Sequence, residues 1–306
     1  MRVLVTGCHG KIGTALCDLL VQRGDGVFGL DRRASSHTGW ASAADTLVDP
    51  YAIHRAFESA QRDLGAVDAV IHLAGHTNVH AASPEQVLRE NLAINASVFQ
   101  ASLERGVDRI VFASSVQAFL GGIGRPTDDP RSTKPLRFPI NEQTKPRPTN
   151  GYGLSKLLSE RMLDELTSDL YDEQQGTSAI SLRMPYVLDQ GSFEAWSGRS
   201  RGGHDYRWGG CECYSYIHLD DIAEAMVAAL DADCAGHEVV WVSAPDPRVA
   251  ESVEEIAEEH FRGIEGVEDA VARDSFMDLS KARHLLGWEP KRLIRDRRAS
   301  LGVSSA

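Results

Sequence analysis

Tyr152 and Lys156 stand four residues apart in N-G-Y-G-L-S-K (150–156), a spacing that puts both on one face of a helix. A tyrosine with its ordinary pKa of about 10 is a poor base at neutral pH. A neighbouring ammonium, or another positive charge nearby, would favour the phenolate. Tyr152 can then take a proton from a substrate hydroxyl while hydride leaves the same carbon. Upstream, F-A-S-S-V-Q-A-F (112–119) follows the apolar run R-I-V-F-A. Ser114 and Ser115 therefore sit at the carboxyl end of a predicted strand, where open α/β sheets bind ligands. One of the two hydroxyls can hydrogen-bond the reacting oxygen.

A hydride acceptor is suggested at the other end of the chain. T-G-C-H-G-K-I-G (6–13) places Gly7, Gly10 and Gly13 between an apolar run and a helical pattern, the context expected of a dinucleotide-binding turn. Gly7 would make the turn, Gly10 would let a pyrophosphate approach the helix N-terminus, and Gly13 would let helix and sheet pack closely. Asp31 ends the second predicted strand, where an acid hydrogen-bonds ribose hydroxyls and repels a 2′-phosphate. This favours NAD. Arg32 and Arg33 would receive that phosphate if Asp31 turned away, which keeps NADP open.

These groups need a scaffold, and the first half of the chain predicts one. Strands at Arg2–Thr6, Val27–Asp31, Thr46–Val48, Val67–Leu73, Arg109–Ala113 and Ser178–Met184 alternate with helices at Lys11–Arg23, Tyr51–Arg62, Pro84–Arg105 and Tyr152–Leu170. Such alternation implies an α/β fold, a doubly wound parallel sheet. The Gly- and Pro-rich stretch Gly121–Asn150 reads as a functional loop. Residues 189–214 read as an irregular, substrate-facing segment. Regular elements return at Tyr216–His218, Asp220–Leu230 and Glu238–Val242, then near 251–261 and 280–286. The expected division is a dinucleotide-binding domain over 1–184, with 215–245 returning to it, and a small substrate-binding lobe from 185–214 and 246–306.

Composition narrows the function classes. The 306 residues carry a net charge of −12, which argues against nucleic acid or an anionic membrane as partner. No apolar run reaches the ~20 residues of a membrane helix, and no secretory leader is evident, so a cytoplasmic location is expected. The five cysteines form no disulfide pattern. Cys211 and Cys213, between His204 and His218, lack the spacing of zinc ligands, so no metal is expected.

The combination resembles the extended short-chain dehydrogenases, which include the NAD-dependent epimerase/dehydratase enzymes, and implies their Rossmann-like fold. T-G-C-H-G-K-I-G resembles the family's glycine loop, V-I-H-L-A-G-H-T (70–77) its segment after the fourth strand, and Asn91 the asparagine of its next helix. S-S before Y-G-L-S-K matches its Ser–Tyr–Lys triad, and alignment points to Ser115. Y-S-Y-I-H-L-D-D-I-A-E-A (214–225) and L-S-K-A-R-H-L-L-G-W-E-P (279–290) resemble its later motifs, so the resemblance spans residues 1–290. It implies cofactor contacts from Gly7, Gly10, Lys11, Ile12, Gly13, Asp31, Arg32, Leu73, Ala74, Gly75, Asn91 and Tyr152. It also implies an adenine contact from Asp49 and a nicotinamide-ribose contact from Lys156. Thr77, Ser115, Val116, Gln117 and Arg183 are expected to face substrate. A homodimer through the Pro84–Arg105 and Tyr152–Leu170 helices is implied as well.

The sequence departs from parts of that pattern. Val116 and Gln117 stand where dehydratases carry Asp-Glu, which speaks against water elimination. The arginine expected before Tyr216 in a nucleotide-sugar site is absent, and the segment from Arg183 to Tyr216 is short, as in sugar-oxidising relatives. Those relatives carry Asn-His after the serine, which this chain lacks. Arg199, Arg201 and Arg207 offer bidentate partners for an anionic substrate. The expected function is an NAD-dependent enzyme acting on a sugar or sugar derivative. It would be a net dehydrogenase, or an epimerase if hydride returns. A cofactor-sensing regulator is a third reading, disfavoured because Tyr152 and Lys156 are both present.

Overall fold

The computed structural model describes residues 1–34, 39–77, 82–121, 134–168, 176–199, 201–202 and 209–302. Its strands are β1 (Arg2–Thr6), β2 (Gly26–Asp31), β3 (Ala41–Ala44), β4 (Ala69–His72), β5 (Arg109–Ser115), β6 (Ser178–Met184), β7 (Tyr186–Leu188), β8 (Tyr216–His218) and β9 (His237–Trp241). Seven form one sheet in the order β3-β2-β1-β4-β5-β6-β9, with every neighbouring pair parallel. β7 and β8 pair separately. The chain thus forms the Rossmann-like α/β doubly wound sheet that its alternation implies.

The helices are α1 (Lys11–Arg23), α2 (Ala52–Leu64), α3 (Pro84–Glu104), α4 (Gly151–Leu166), α5 (Gln190–Ser197), α6 (Leu219–Asp231), α7 (Val253–His260), α8 (Val267–Ala272), α9 (Ser280–Leu286) and α10 (Ile294–Ser300). Successive strand residues point to opposite faces, so Val3 and Leu4 enter different cores. Val3, Val5 and Ile180 pack with Leu16 and Leu20 of α1 and Ala225 and Ala229 of α6. Leu4, Val70 and Phe112 pack with Phe57 of α2, Phe99 of α3 and Leu163 of α4. α3 starts where Ser83 accepts a bond from the Gln86 amide, with Pro84 at its first position, the N-terminal chemistry that satisfies free amides without needing one from proline.

Several boundaries differ from the sequence expectation. The third strand is Ala41–Ala44, and Thr46–Val48 lies in the turn before α2. β5 continues through both serines because Ser114 and Ser115 pair in register with Arg183 and Met184 of β6. The segment expected to be irregular contains α5, which Asp189 starts by accepting from the Ser192 amide at 2.9 Å. In the region assigned to the small lobe, Val253, Phe261, Val267 and Phe276 form a separate core with Phe119 and Phe138. α9 departs from that division: Ala282, Leu286 and Trp288 join the core of the main sheet. The basic tail is tied down too. The Ile294 amide donates to the Tyr216 hydroxyl at 2.6 Å, the Arg295 amide to Asp246 at 2.9 Å, and Arg292 Nη1 to Asp221 at 2.6 Å. Among the described residues no helix is long and apolar enough to cross a membrane. The centre of the expected Gly121–Asn150 loop, His204 and Arg207 lie outside the described residues.

Candidate active site

The carboxyl ends of β5 and β6 and the first turn of α4 meet around a cavity of about 400 Å³. Asn150 starts α4 by accepting from the Gly153 amide at 2.7 Å, and its Nδ2 donates to Gln117 at 3.0 Å. A Cβ on Gly153 would lie 2.2 Å from the Gln117 carbonyl, so only glycine lets the helix start this close to the serine turn. Tyr152 and Lys156, one turn apart, both line the cavity, as do Ser115, Val116 and Gln117.

The two serines have different partners. Ser114 donates to Glu160 at 2.5 Å, whereas Ser115 Oγ accepts from the Gln117 amide at 3.2 Å and shares the cavity wall with Tyr152. Burial pushes the Tyr152 phenol up to about 12, and the nearby Ser115 hydroxyl works against that rise. Lys156 donates to the Ala113 carbonyl at 2.7 Å, and its ammonium lies 4.6 Å from the Phe112 ring centre and 5.7 Å from that of Tyr152. Positive charge over a ring face is favoured by the ring quadrupole. Burial nevertheless pulls the Lys156 pKa down to about 8, with Glu160 opposing the fall.

That shift carries a sign. Between its folded value of about 8 and its ordinary value of 10.5, the unfolded chain holds a proton that the folded chain has released. Stability therefore rises with pH across this window. In urea melts at about pH 7 and about pH 10, wild type is expected to gain on Lys156→Met by up to about 3 kcal/mol at the higher pH. A pH-independent difference would show that burial does not control this ammonium.

Behind the site, polar residues join α3 to α4. Asn91 Nδ2 donates to Ser155 at 3.2 Å and Asn95 Nδ2 to Ser159 at 2.7 Å. His72 bridges Thr6 at 2.7 Å and Asn95 at 2.8 Å. Burial pushes its imidazole down to about 3, so it is neutral at physiological pH. Nε2–H then donates to Asn95 Oδ1, which leaves Nδ1 to accept from the Thr6 hydroxyl. These bonds fix the helix that carries Tyr152 and Lys156.

A second cavity of about 240 Å³ runs over the glycine loop, and Leu73, Gly75, His76 and Thr77 line both. Gly7 takes φ +74°, and a Cβ on Gly13 would lie 2.1 Å from the Gly7 carbonyl. The α1 N-terminus, with Gly10 as its cap residue, has no side-chain cap. Its free amides and partial positive charge suit a phosphate. Asp31 is 8% exposed and lines this cavity with Gly7, Gly10, Arg32 and Ala74. It accepts from the His9 amide at 3.1 Å and the Arg33 amide at 3.0 Å, so it is held in the cavity wall rather than turned away. This donor and acceptor set fits a dinucleotide.

Four expected contacts are placed elsewhere. Asp49 pairs with Arg55 at 2.6 Å, and the wall near Asp31 is built instead by Asp45, Thr46, Leu47 and Val48. The early end of the third strand causes that shift. Lys11 pairs with Asp189 at 2.6 Å, while Ile12 reaches the larger cavity. Asn91 lies behind the wall, where Oδ1 accepts from the His76 amide at 2.7 Å. Arg183 is buried against Glu160, with bonds of 3.0 and 2.7 Å, and does not line the cavity. Its charge is spent inside the fold.

Two of the arginines expected to greet an anion are also diverted. Arg199 lies 3.7 Å over the Trp196 ring, and Arg201 pairs with Glu255. Conversely, sequence reasoning passed over His76, paired with Glu90 at 2.7 Å, and Glu212, both of which line the larger cavity. H-T after the fourth strand offered a faint signal for His76. Glu212, between two cysteines, offered none.

Comparison with known proteins places this geometry in context. The NAD dependent epimerase/dehydratase family matches residues 3–242. A UDP-glucose 4-epimerase of Azospirillum brasilense is 28% identical over 255 residues, covering 75% of this chain and 68% of that protein. An NAD-dependent glucose-6-phosphate dehydrogenase of Haloferax volcanii is 30% identical over 184 residues, covering 60% and 67%. Among solved structures, UDP-glucose 4-epimerase from Bifidobacterium longum in complex with NAD+ and UDP superposes with a TM-score of 0.67 at 22% identity, covering 99% of this chain and 98% of that one. With its sheet order, its glycine loop and a match across most of its length, the chain belongs to the NAD-dependent epimerase/dehydratase family.

Proposed function

We propose that this protein oxidises a hydroxyl carbon of a sugar and releases the product as a net dehydrogenase. The observation that carries the reading is the meeting of Ser115, Tyr152 and Lys156 on one cavity wall. Tyr152 is the base. Ser115 holds the reacting oxygen, and the Lys156 ammonium favours the phenolate over the phenol. Gly7, Gly10 and the α1 N-terminus would hold a pyrophosphate, Asp31 the adenosine ribose and Lys156 the nicotinamide ribose. NAD, when bound, supplies the hydride acceptor and a positive charge that draws the Tyr152 proton off.

The sugar substrate is inferred from relatives, since both curated proteins described above act on sugars. Net oxidation is favoured because no arginine lines the catalytic cavity among the described residues and because the Arg183–Tyr216 segment is short. The UDP-glucose 4-epimerase likeness favours a second reading, in which hydride returns to the opposite face and no reduced cofactor accumulates. From the expected substrate-binding lobe, Pro185, Tyr186, Val187 and Glu212 line the cavity in either case. A homodimer through α3 and α4 and a cytoplasmic location belong with this proposal.

The test is absorbance of reduced nicotinamide with purified protein, NAD and a panel of free aldoses, uronates and nucleotide-sugars. Net NADH from a free sugar supports the dehydrogenase. Isomerised nucleotide-sugar without net NADH supports the epimerase, and no product from any substrate overturns both. The same assay tests cofactor choice. Asp31→Ala is expected to lower the NAD-over-NADP preference by roughly tenfold or more, since it removes a charge-assisted bond and leaves Arg32 and Arg33 in place. A wild-type preference for NADP would reverse the assignment.

A further inference from the structure

Glu212 is an unusual presence in the catalytic cavity. Among the described residues lining it, Glu212 is the one carboxylate and Lys156 the one lysine or arginine. The Glu212 residue is 7% exposed, and a buried carboxylate is costly unless it is paired. Arg248 pairs it, donating from Nη2 to Glu212 Oε1 at 2.9 Å and from Nη1 to the Ser215 carbonyl at 2.8 Å. The guanidinium is itself held among aromatic rings, with its centre 5.4 Å from Trp196 and 5.9 Å from both Tyr186 and Tyr214.

The backbone beside it is constrained as well. Cys213 and Tyr214 both take left-handed φ values, 54° and 53°. For a bulky residue such as tyrosine this region is an outlier, and such strain persists only where the surroundings over-determine it. The chain thus holds a costly carboxylate at one place on the cavity wall. A carboxylate can accept about four hydrogen bonds, so one guanidinium leaves capacity for ligand hydroxyls.

We propose that Glu212 is a specificity-determining residue: fixed by Arg248, its carboxylate accepts hydrogen bonds from substrate hydroxyls and selects a neutral, hydroxyl-rich sugar over the matching sugar acid. A hydroxyl donates to this carboxylate, whereas a substrate carboxylate placed there meets like charge in a low-dielectric wall. The diversion of Arg199 onto Trp196 and of Arg201 onto Glu255 fits the same preference. This inference rests on the sugar-oxidising reading above and deepens it.

The experiment titrates the NAD-loaded protein at neutral pH with matched pairs, D-glucose with D-glucuronate and D-galactose with D-galacturonate. Calorimetry reads binding and NADH absorbance reads turnover. Wild type is expected to bind at least one neutral sugar roughly tenfold or more tightly than its acid, and Glu212→Gln to reduce that ratio by about tenfold. If the variant folds poorly, Glu212→Asp keeps the charge but withdraws it from the wall. It is expected to weaken neutral-sugar binding while still disfavouring the acid. A wild-type preference for the acid, a ratio unmoved in Glu212→Gln, or neutral-sugar binding unchanged in Glu212→Asp overturns the role of Glu212. If turnover of a free sugar persists in that case, the dehydrogenase reading stands. If no sugar binds and no NADH forms, both readings fall together.

Discussion

Tyr152→Phe is expected to lower turnover by roughly 10²–10⁴-fold, the usual contribution of a positioned general base, while leaving NAD affinity within a few-fold of wild type. The substitution removes one oxygen from a side chain that is 8% exposed. Phenylalanine keeps the ring packing beside Lys156 and the helix start capped by Asn150. What it loses is the phenol oxygen that shares this wall with Ser115 and can accept a proton once ionised. The proposed cofactor-binding features, by contrast, come from the glycine loop and from Asp31 of β2. A folded variant that binds NAD normally but does not turn over separates chemistry from binding. Retained turnover would place the base elsewhere.

The pH dependence of that step follows from the same burial. In the protein alone the phenol sits at about 12 and the ammonium at about 8, the reverse of what proton abstraction near neutrality requires of the tyrosine. The nearby Ser115 hydroxyl lowers the phenol in part. In the proposed mechanism the remaining fall would come from the Lys156 ammonium and the positive charge of an oxidised cofactor, since a nearby opposite charge favours the phenolate. Turnover should therefore titrate at a lower pH in the enzyme–NAD complex than the Tyr152 phenol does in the protein alone.

How much of this was legible in the sequence depended on how local each signal was. Tyr152 and Lys156 were readable because four-residue spacing on a helix needs no tertiary information. The glycine loop was readable because its strand and helix flank it directly. β3 was misplaced because A-S-A-A carries no β-branched or large apolar residue, while T-L-V just beyond it does. Strand pairing with β2 overrode that local preference, and Asp45 rather than Asp49 lines the cavity beside Asp31. Glu212 was invisible because its position depends on Arg248, far along the chain, and on a strained turn with no sequence signature. The segment after Pro290 is basic and polar and carries no motif that predicts its contacts. Its partners, Asp221, Asp246 and Glu194, come from three separate segments.

Arg183→Met is expected to cost about 3–5 kcal/mol of stability, the range for breaking a buried ion pair by removing one partner. Arg183 is 4% exposed and Glu160 2%, so little water is at hand to replace the lost partner. Glu160 receives two bonds from Arg183 and one from Ser114, and the guanidinium centre lies 4.9 Å over Phe119. After the substitution only the serine bond supports a buried carboxylate. Glu160 also opposes the fall of the Lys156 pKa, so the pair sets part of the field around the catalytic ammonium. Combining Arg183→Met with Glu160→Met removes both charges, and most of the lost stability is expected to return, because apolar replacement of a whole buried pair is often near neutral. The coupling read from the double-mutant cycle would then be several kcal/mol, above the roughly 0.5 kcal/mol seen for independent sites. Urea melts of the four proteins supply that number. Steady-state kinetics on the folded single variant discriminate the alternative. A substrate contact would raise KM by roughly tenfold or more at nearly unchanged stability, and that outcome would return Arg183 to the substrate side of the cavity wall.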